Sequence, residues 1–140
     1  MIRVVIDTNI LVSSLLASGS PKAVLNLAYN QVFAWCVSDA VLKEYETVLA
    51  YPRLNIDQSD RRRTMTEIRK ISQIVRPTIE LEEASDETDN RFLECAQAAK
   101  ANYLVTGNLR HFPKVWKYTK VVSPKDFLRL WQFQKPPDKN

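Results

Sequence analysis

Val4, Val5 and Ile6 are three β-branched residues in a row, and they stop at an acid, Asp7. A continuous run of this kind favours a strand buried on both faces, as inside a parallel sheet. Parallel neighbours cannot be joined by a tight hairpin; they need crossovers, usually helices. The chain must therefore supply helices alternating with strands. The first strand covers residues 2–6, and Thr8-Asn9-Ile10-Leu11-Val12 turns directly into a helix. In open α/β sheets, ligands bind outside the carboxyl ends of the strands, which is where Asp7 sits. A half-desolvated carboxylate there needs a partner: a metal ion, helix N–H groups or a base. Thr8 and Asn9 are placed to hydrogen-bond it or to cap the helix. The plain alternative is that Asp7 only caps.

The following residues meet that demand. Residues 10–17 read as a helix, broken by Ser18-Gly19-Ser20-Pro21. Ser20 then caps a second helix with Pro21 at its first position, running to about residue 29. Val32-Phe33-Ala34-Trp35-Cys36-Val37 is a second buried strand. Ser38 or Asp39 caps a helix over residues 40–50, with Val41, Leu42, Tyr45, Val48 and Leu49 as its apolar stripe. At ~100° per residue, Glu44 falls at the edge of that stripe; alone, it reads as a border residue reaching to water. Residues 57–75 form one longer helix or two short ones. They carry Arg61, Arg62, Arg63, Arg69 and Lys70, the densest positive cluster in the chain. Such a face is ordinarily just solvated, but here it is the first candidate for touching phosphates. Residues 76–81 read as a short strand that Pro77 places at an edge or a strand start.

Next comes an acidic loop: Glu82, Glu83, Asp86, Glu87 and Asp89. It leads into a helix over residues 90–100. Asp86 and Asp89 have the spacing of an N-cap and its third helical residue, which is a capping pattern. Asp89, however, projects to the same side as Phe92, Leu93, Ala96 and Ala99. An acid on an inner face is costly unless something positive meets it. Asn102-Tyr103-Leu104-Val105-Thr106-Gly107-Asn108 is a strand ending in a turn, residues 109–113 a loop, and Val121-Val122 a last short strand. Ser123 caps the final helix, with Pro124 at its first position, to about residue 133. Residues 134–140 are a polar, proline-bearing tail. The alternation predicts an α/β fold with a mainly parallel central sheet and helices on both faces.

Composition removes several function classes. Gly19 and Gly107 are the only glycines, too few for a glycine-rich phosphate loop. Cys36 and Cys95 form no pair motif and His111 is the single histidine, which argues against zinc and for two buried thiols in a reducing cytosol. The N-terminal apolar run is too short for a signal peptide, and no stretch approaches bilayer length, so a cytoplasmic chain with no membrane partner is expected. The net charge of +4 permits a polyanionic partner.

Three places share one property: Asp7, the Asp86/Asp89 pair and the Thr106-Gly107-Asn108 turn all follow a strand or open a helix. Such positions converge at the carboxyl edge of a parallel sheet, where Glu44 can join them. Carboxylates brought together either raise their pKa values or hold a cation. With only hard oxygen ligands on offer, that cation is Mg²⁺ or Mn²⁺. Such a site suits phosphodiester cleavage, with the acids as ligands and one of them taking a proton from water.

Four blocks carry a resemblance. Val5-Ile6-Asp7-Thr8-Asn9-Ile10-Leu11-Val12-Ser13, Ser38-Asp39 with Glu44-Tyr45, Asp86 with Asp89-Asn90-Arg91-Phe92-Leu93-Glu94-Cys95-Ala96, and Asn102 to Asn108 resemble, in order, the blocks of a PIN domain. The resemblance is closest to the VapC-like toxins of bacterial and archaeal toxin–antitoxin pairs, and it spans nearly the whole chain. It implies a single PIN-like domain over residues 1–133 with a three-layer α/β/α fold. It also implies a metal-dependent ribonuclease, often dimeric, inhibited by a small antitoxin. Asp7, Glu44 and Asp89 match the family's acids, and Asp86 shares the third acid's role. Thr8, Asn9, Thr106 and Asn108 would position substrate or water, and Arg61, Arg62, Arg63 and Arg110 would contact phosphates. The family often has a fourth acid at or just after the last turn; this chain offers Asn108 and His111 instead. Asn108 can ligate through its amide oxygen but adds no charge, which puts a second metal in doubt. His111 could donate to a phosphate, although a lone loop histidine reads as incidental. Glu82, Glu83 and Glu87 read as solvated surface.

Two other functions compete. A non-catalytic RNA-binding or protein-interaction module on the same fold is motivated by the missing acid. A phosphoryl-transfer domain with Asp7 as nucleophile would want an acid two residues on, where Asn9 stands.

Overall fold

The computed structural model describes residues 1–82 and 86–134. Glu83, expected to be solvated, and residues 135–140 of the expected tail lie outside the described residues, as does the side chain of Gln134.

The first strand, β1 (Arg3–Ile6), carries Val4, Val5 and Ile6 with no exposed surface at all. It runs directly into α1 (Thr8–Leu16), and α2 (Ser20–Tyr29) follows. Here Ser20 is the first helical residue rather than the cap. Gly19 precedes it at φ +135°, a backbone conformation that residues with a side chain rarely adopt. Next come β2 (Ala34–Val37), α3 (Asp39–Leu49) and α4 (Gln58–Ile71), with a short 3₁₀ turn at Pro52–Leu54 between the helices. Ser38 caps α3 as expected, its hydroxyl accepting the Val41 N–H at 3.1 Å.

The chain continues through β3 (Gln73–Ile74), α5 (Glu87–Ala99), β4 (Tyr103–Val105), β5 (Val115–Trp116), β6 (Thr119–Val122) and α6 (Pro124–Gln134). The sheet order is β3-β2-β1-β4-β6-β5, parallel throughout except for the β5–β6 pair. Helices cover both faces in a three-layer α/β/α arrangement. On one of them, Phe127 of α6 meets Phe33 and Tyr103 edge to face at 5.4 and 5.5 Å. Trp131 meets Phe33 edge to face at 6.1 Å, whereas Phe133 is exposed.

Two strands depart from the sequence reading. The edge strand is not residues 76–81 but Gln73–Ile74, and the ladder closes where the Val75 N–H reaches Val37 O at 2.8 Å. Pro77 has no N–H to continue it. Residues 76–82 are instead held by α5: Glu94 accepts the Leu81 N–H at 2.8 Å and pairs with Arg91 at 2.9 Å. The β5–β6 hairpin was not foreseen. Its reversal at Lys117 takes φ +57° on a non-glycine residue, so the usual hairpin composition is missing.

Candidate active site

Asp7 is placed by the end of β1. Its N–H donates to Val105 O of β4 at 2.9 Å and its carbonyl accepts the Ile10 N–H, which starts α1. The residue stands at the N-cap, yet its carboxylate makes no capping bond. It accepts the Thr106 hydroxyl at 2.7 Å and is only 5% exposed. The direction of that bond is fixed. Thr106 Oγ1 also receives the Asn108 backbone N–H at 3.0 Å, so its single proton is free for Asp7. Asn9 closes the same corner by accepting the Gly107 N–H at 3.2 Å. Thr8 is buried, and its hydroxyl has no hydrogen-bond partner among the described residues.

Asp89 stands in the first turn of α5, facing inward and 8% exposed. That helix begins three residues earlier than the expected Asn90. Asp86 is its cap, accepting the Thr88 N–H at 2.8 Å while remaining exposed at the rim. The Oδ2 atom of Asp89 lies 3.3 Å from Nδ1 of His111, an ion-pair distance without the alignment of a hydrogen bond. This buried oxygen therefore has no hydrogen-bond partner among the described residues. Glu44, in the second turn of α3, is half-buried.

These acids feel one another. Burial pushes Asp7 up, and the Asp86 charge adds to it; the Thr106 hydroxyl, the Thr8 N–H and His111 pull it back. Burial, then the charges of Asp7 and Asp86, push Asp89 up to about 6, against the opposing pull of His111. Burial followed by the same two charges raises Glu44. Asp7, Glu44, Asp86 and Asp89 thus share one electrostatic neighbourhood, and His111 is the basic side chain that opposes the rise of Asp7 and Asp89. Their proximity is looser than a ready-made cage. No three His, Cys, Asp or Glu side chains among the described residues converge closely enough to hold an ion by themselves. Two buried carboxylates, one with an unpartnered oxygen, still fit a hard cation that keeps several of its waters, as Mg²⁺ does.

Asn108 and Arg110 are exposed on the loop following β4, Arg110 within the 3₁₀ turn Leu109–His111. The arginines of α4 stand elsewhere. Arg61 and Arg62 line a groove with Glu46, Leu49 and Met65, between the second half of α3 and α4; Arg63 pairs with Asp60. His111 was the residue undervalued by the sequence reading. Its signal is the 3₁₀ turn, where the His111 N–H bonds Asn108 O at 3.0 Å and folds the loop back toward α5.

Carboxylates gathered at the carboxyl edge of a mainly parallel α/β/α sheet, without a glycine-rich loop, define an acidic site rather than a nucleotide-cofactor fold. The chain belongs to the PIN-domain family: the family profile, described as PIN domain, matches residues 3–110. PIN domains are generally nucleases and typically use divalent metals. An uncharacterised protein of Methanocaldococcus jannaschii is 31% identical over 144 aligned residues, covering 94% of this chain and 92% of that protein. Among the described residues no single helix is long and apolar enough to cross a membrane.

Proposed function

We propose that this protein is a divalent-metal-dependent endoribonuclease acting in the cytoplasm, as the toxin of a toxin–antitoxin pair and as a homodimer. The observation that carries the reading is the buried, unpartnered Oδ2 of Asp89 within the same cluster as Asp7. A buried carboxylate oxygen that no donor of the fold is aligned to meet is open to a cation. Asp7 and Asp89 would hold Mg²⁺ or Mn²⁺, with Glu44 and Asp86 adding negative charge to the same neighbourhood. Such an ion, when bound, supplies Lewis acidity and a water of lowered pKa. Thr106 orients the Asp7 carboxylate and opposes the rise of its pKa. Glu44, half-buried and with a raised pKa, is suited to take a proton from water. Thr8, Asn9 and Asn108 would position water or substrate, and Arg110, exposed on the loop after β4, would contact an RNA phosphate. Asn108 adds no charge where the family often has an acid, which supports one cation rather than two.

A second reading, an RNA-binding module without catalysis, draws on that same missing acid and on the absence of a three-acid cage among the described residues. One assay separates the two: incubation of labelled RNA with the purified protein in Mg²⁺ or Mn²⁺, with EDTA and Asp7→Asn as controls. Cleavage that stops with EDTA and in the variant supports the nuclease. Salt-dependent binding without cleavage supports the module.

A further inference from the structure

Tyr45 is fully buried, one residue after Glu44 on α3. Its hydroxyl donates to Ile6 O, the carbonyl immediately before Asp7. The hydroxyl oxygen of Tyr45 in turn accepts the indole N–H of Trp35, on β2, at 3.3 Å. An indole N–H can only donate, so the tyrosine proton is committed to Ile6. The bond answers a specific need. β1 and β2 pair only at Arg3↔Ala34 and Val4↔Trp35, so the carbonyl at the end of β1 finds a side chain there in place of a strand. A buried carbonyl without a donor would be costly. The ring of Tyr45 also packs against Phe92 of α5, with centroids 6.3 Å apart. Phe92 lies three residues after Asp89, on the same helix face.

One side chain therefore touches all three elements that carry the inward acids: β1 before Asp7, α3 beside Glu44 and α5 beneath Asp89. We propose that Tyr45 is the positioning residue of this site, setting the spacing of Asp7, Glu44 and Asp89 through its hydroxyl bond to Ile6 and its contact with Phe92. It touches neither cation nor RNA. This inference rests on the metal-dependent reading above. The three acids converge only loosely, so a small shift of β1 against α3 changes what they can hold; displacements of about 1 Å can cost about a hundredfold in rate.

The test compares Tyr45→Phe with Phe127→Leu, a core change on α6, where the ring packs on Phe33 and Tyr103 and not on Tyr45. Both variants should melt a few degrees below the parent, about 3–8 °C. Manganese titration by electron paramagnetic resonance, without RNA, should show affinity falling about tenfold in Tyr45→Phe and unchanged in Phe127→Leu. In RNA cleavage, Tyr45→Phe should lose about tenfold in kcat with KM held within about twofold. Equal Mn²⁺ affinity in Tyr45→Phe and the parent overturns the inference, as does an equal loss in Phe127→Leu. A parent that binds Mn²⁺ but cuts no RNA ends the ribonuclease reading and leaves the Tyr45 comparison intact. A parent that takes up no Mn²⁺ overturns both.

Discussion

Asp7 and Asp89 lie in one electrostatic neighbourhood, yet the protein treats them in opposite ways. Asp7 is locked: its backbone joins β1 to β4, and its carboxylate receives a hydroxyl whose proton has nowhere else to go. Asp89 is buried almost as deeply, but among the described residues its Oδ2 has no aligned donor, and His111 Nδ1 stands off-line at 3.3 Å. The difference separates scaffold from socket. A carboxylate satisfied by the fold fixes a reference point; one left unsatisfied waits for something from solution. The energetic cost follows the same division. Burial raises both groups; Asp7 has the Thr106 hydroxyl to oppose it, whereas Asp89 is carried up to about 6, with two neighbouring acids adding to the rise.

The largest effect should come from removing the reference point. Asp7→Asn should lower RNA cleavage by about a thousandfold or more, measured with labelled RNA in Mn²⁺, while the fold stays intact by circular dichroism. Loosening the lock should do less. Thr106→Val leaves Asp7 and the Asn108 N–H without their shared partner. A loss of about 1–3 kcal/mol in stability and about 10–100-fold in cleavage is expected, with Thr106→Ser restoring most of both.

The unlocked side should show the opposite sign in stability. A buried acid whose pKa is raised in the folded state contributes stability that is full below its unfolded value, near 4, and lost as pH rises through about 6. In metal-free protein, Asp89→Asn should therefore raise the melting temperature by about 3–6 °C at pH 7.5 and by almost nothing at pH 4. Saturating Mn²⁺ should reverse the order, stabilising the parent and not the variant. Differential scanning calorimetry at the two pH values reads both.

Smaller effects should follow from the surrounding basic side chains. His111 pulls Asp89 down, so His111→Ala should move the acidic limb of the cleavage–pH profile to higher pH and cost only about three- to tenfold at neutral pH. Smallest of all, Arg61→Gln with Arg62→Gln should change cleavage by less than about threefold, because these side chains line the α3–α4 groove; their loss should appear instead in the salt dependence of RNA binding. A drop as large as that of Thr106→Val would bring α4 into the substrate path.

How much of this could be read from the residues follows the same division. The locked half was legible, because Val4, Val5, Ile6 and Asp7 force a buried strand ending in an acid, and Ser38 and Asp86 announce their helices through capping chemistry. Asp89 was legible as an anomaly, an acid on an apolar face. What failed were features set by distant contacts. The edge strand slid to Gln73–Ile74 because β2 offered Val37 O to Val75. The β5–β6 hairpin turns on Lys117 without glycine or asparagine. His111 sits in a short local turn that says nothing of its role; that role comes from Asp89 on α5, whose Oδ2 lies 3.3 Å from its Nδ1. Tyr45 looked like one more position in an apolar stripe, since its hydroxyl partner lies 39 residues away.

The most direct measurement is anomalous diffraction from crystals of the parent and of Asp89→Asn soaked in Mn²⁺. A peak between the carboxylates of Asp7 and Asp89 in the parent, gone in the variant, is the predicted result. No peak at saturating Mn²⁺, or one that persists unchanged without the Asp89 carboxylate, would contradict the division of labour between the two acids.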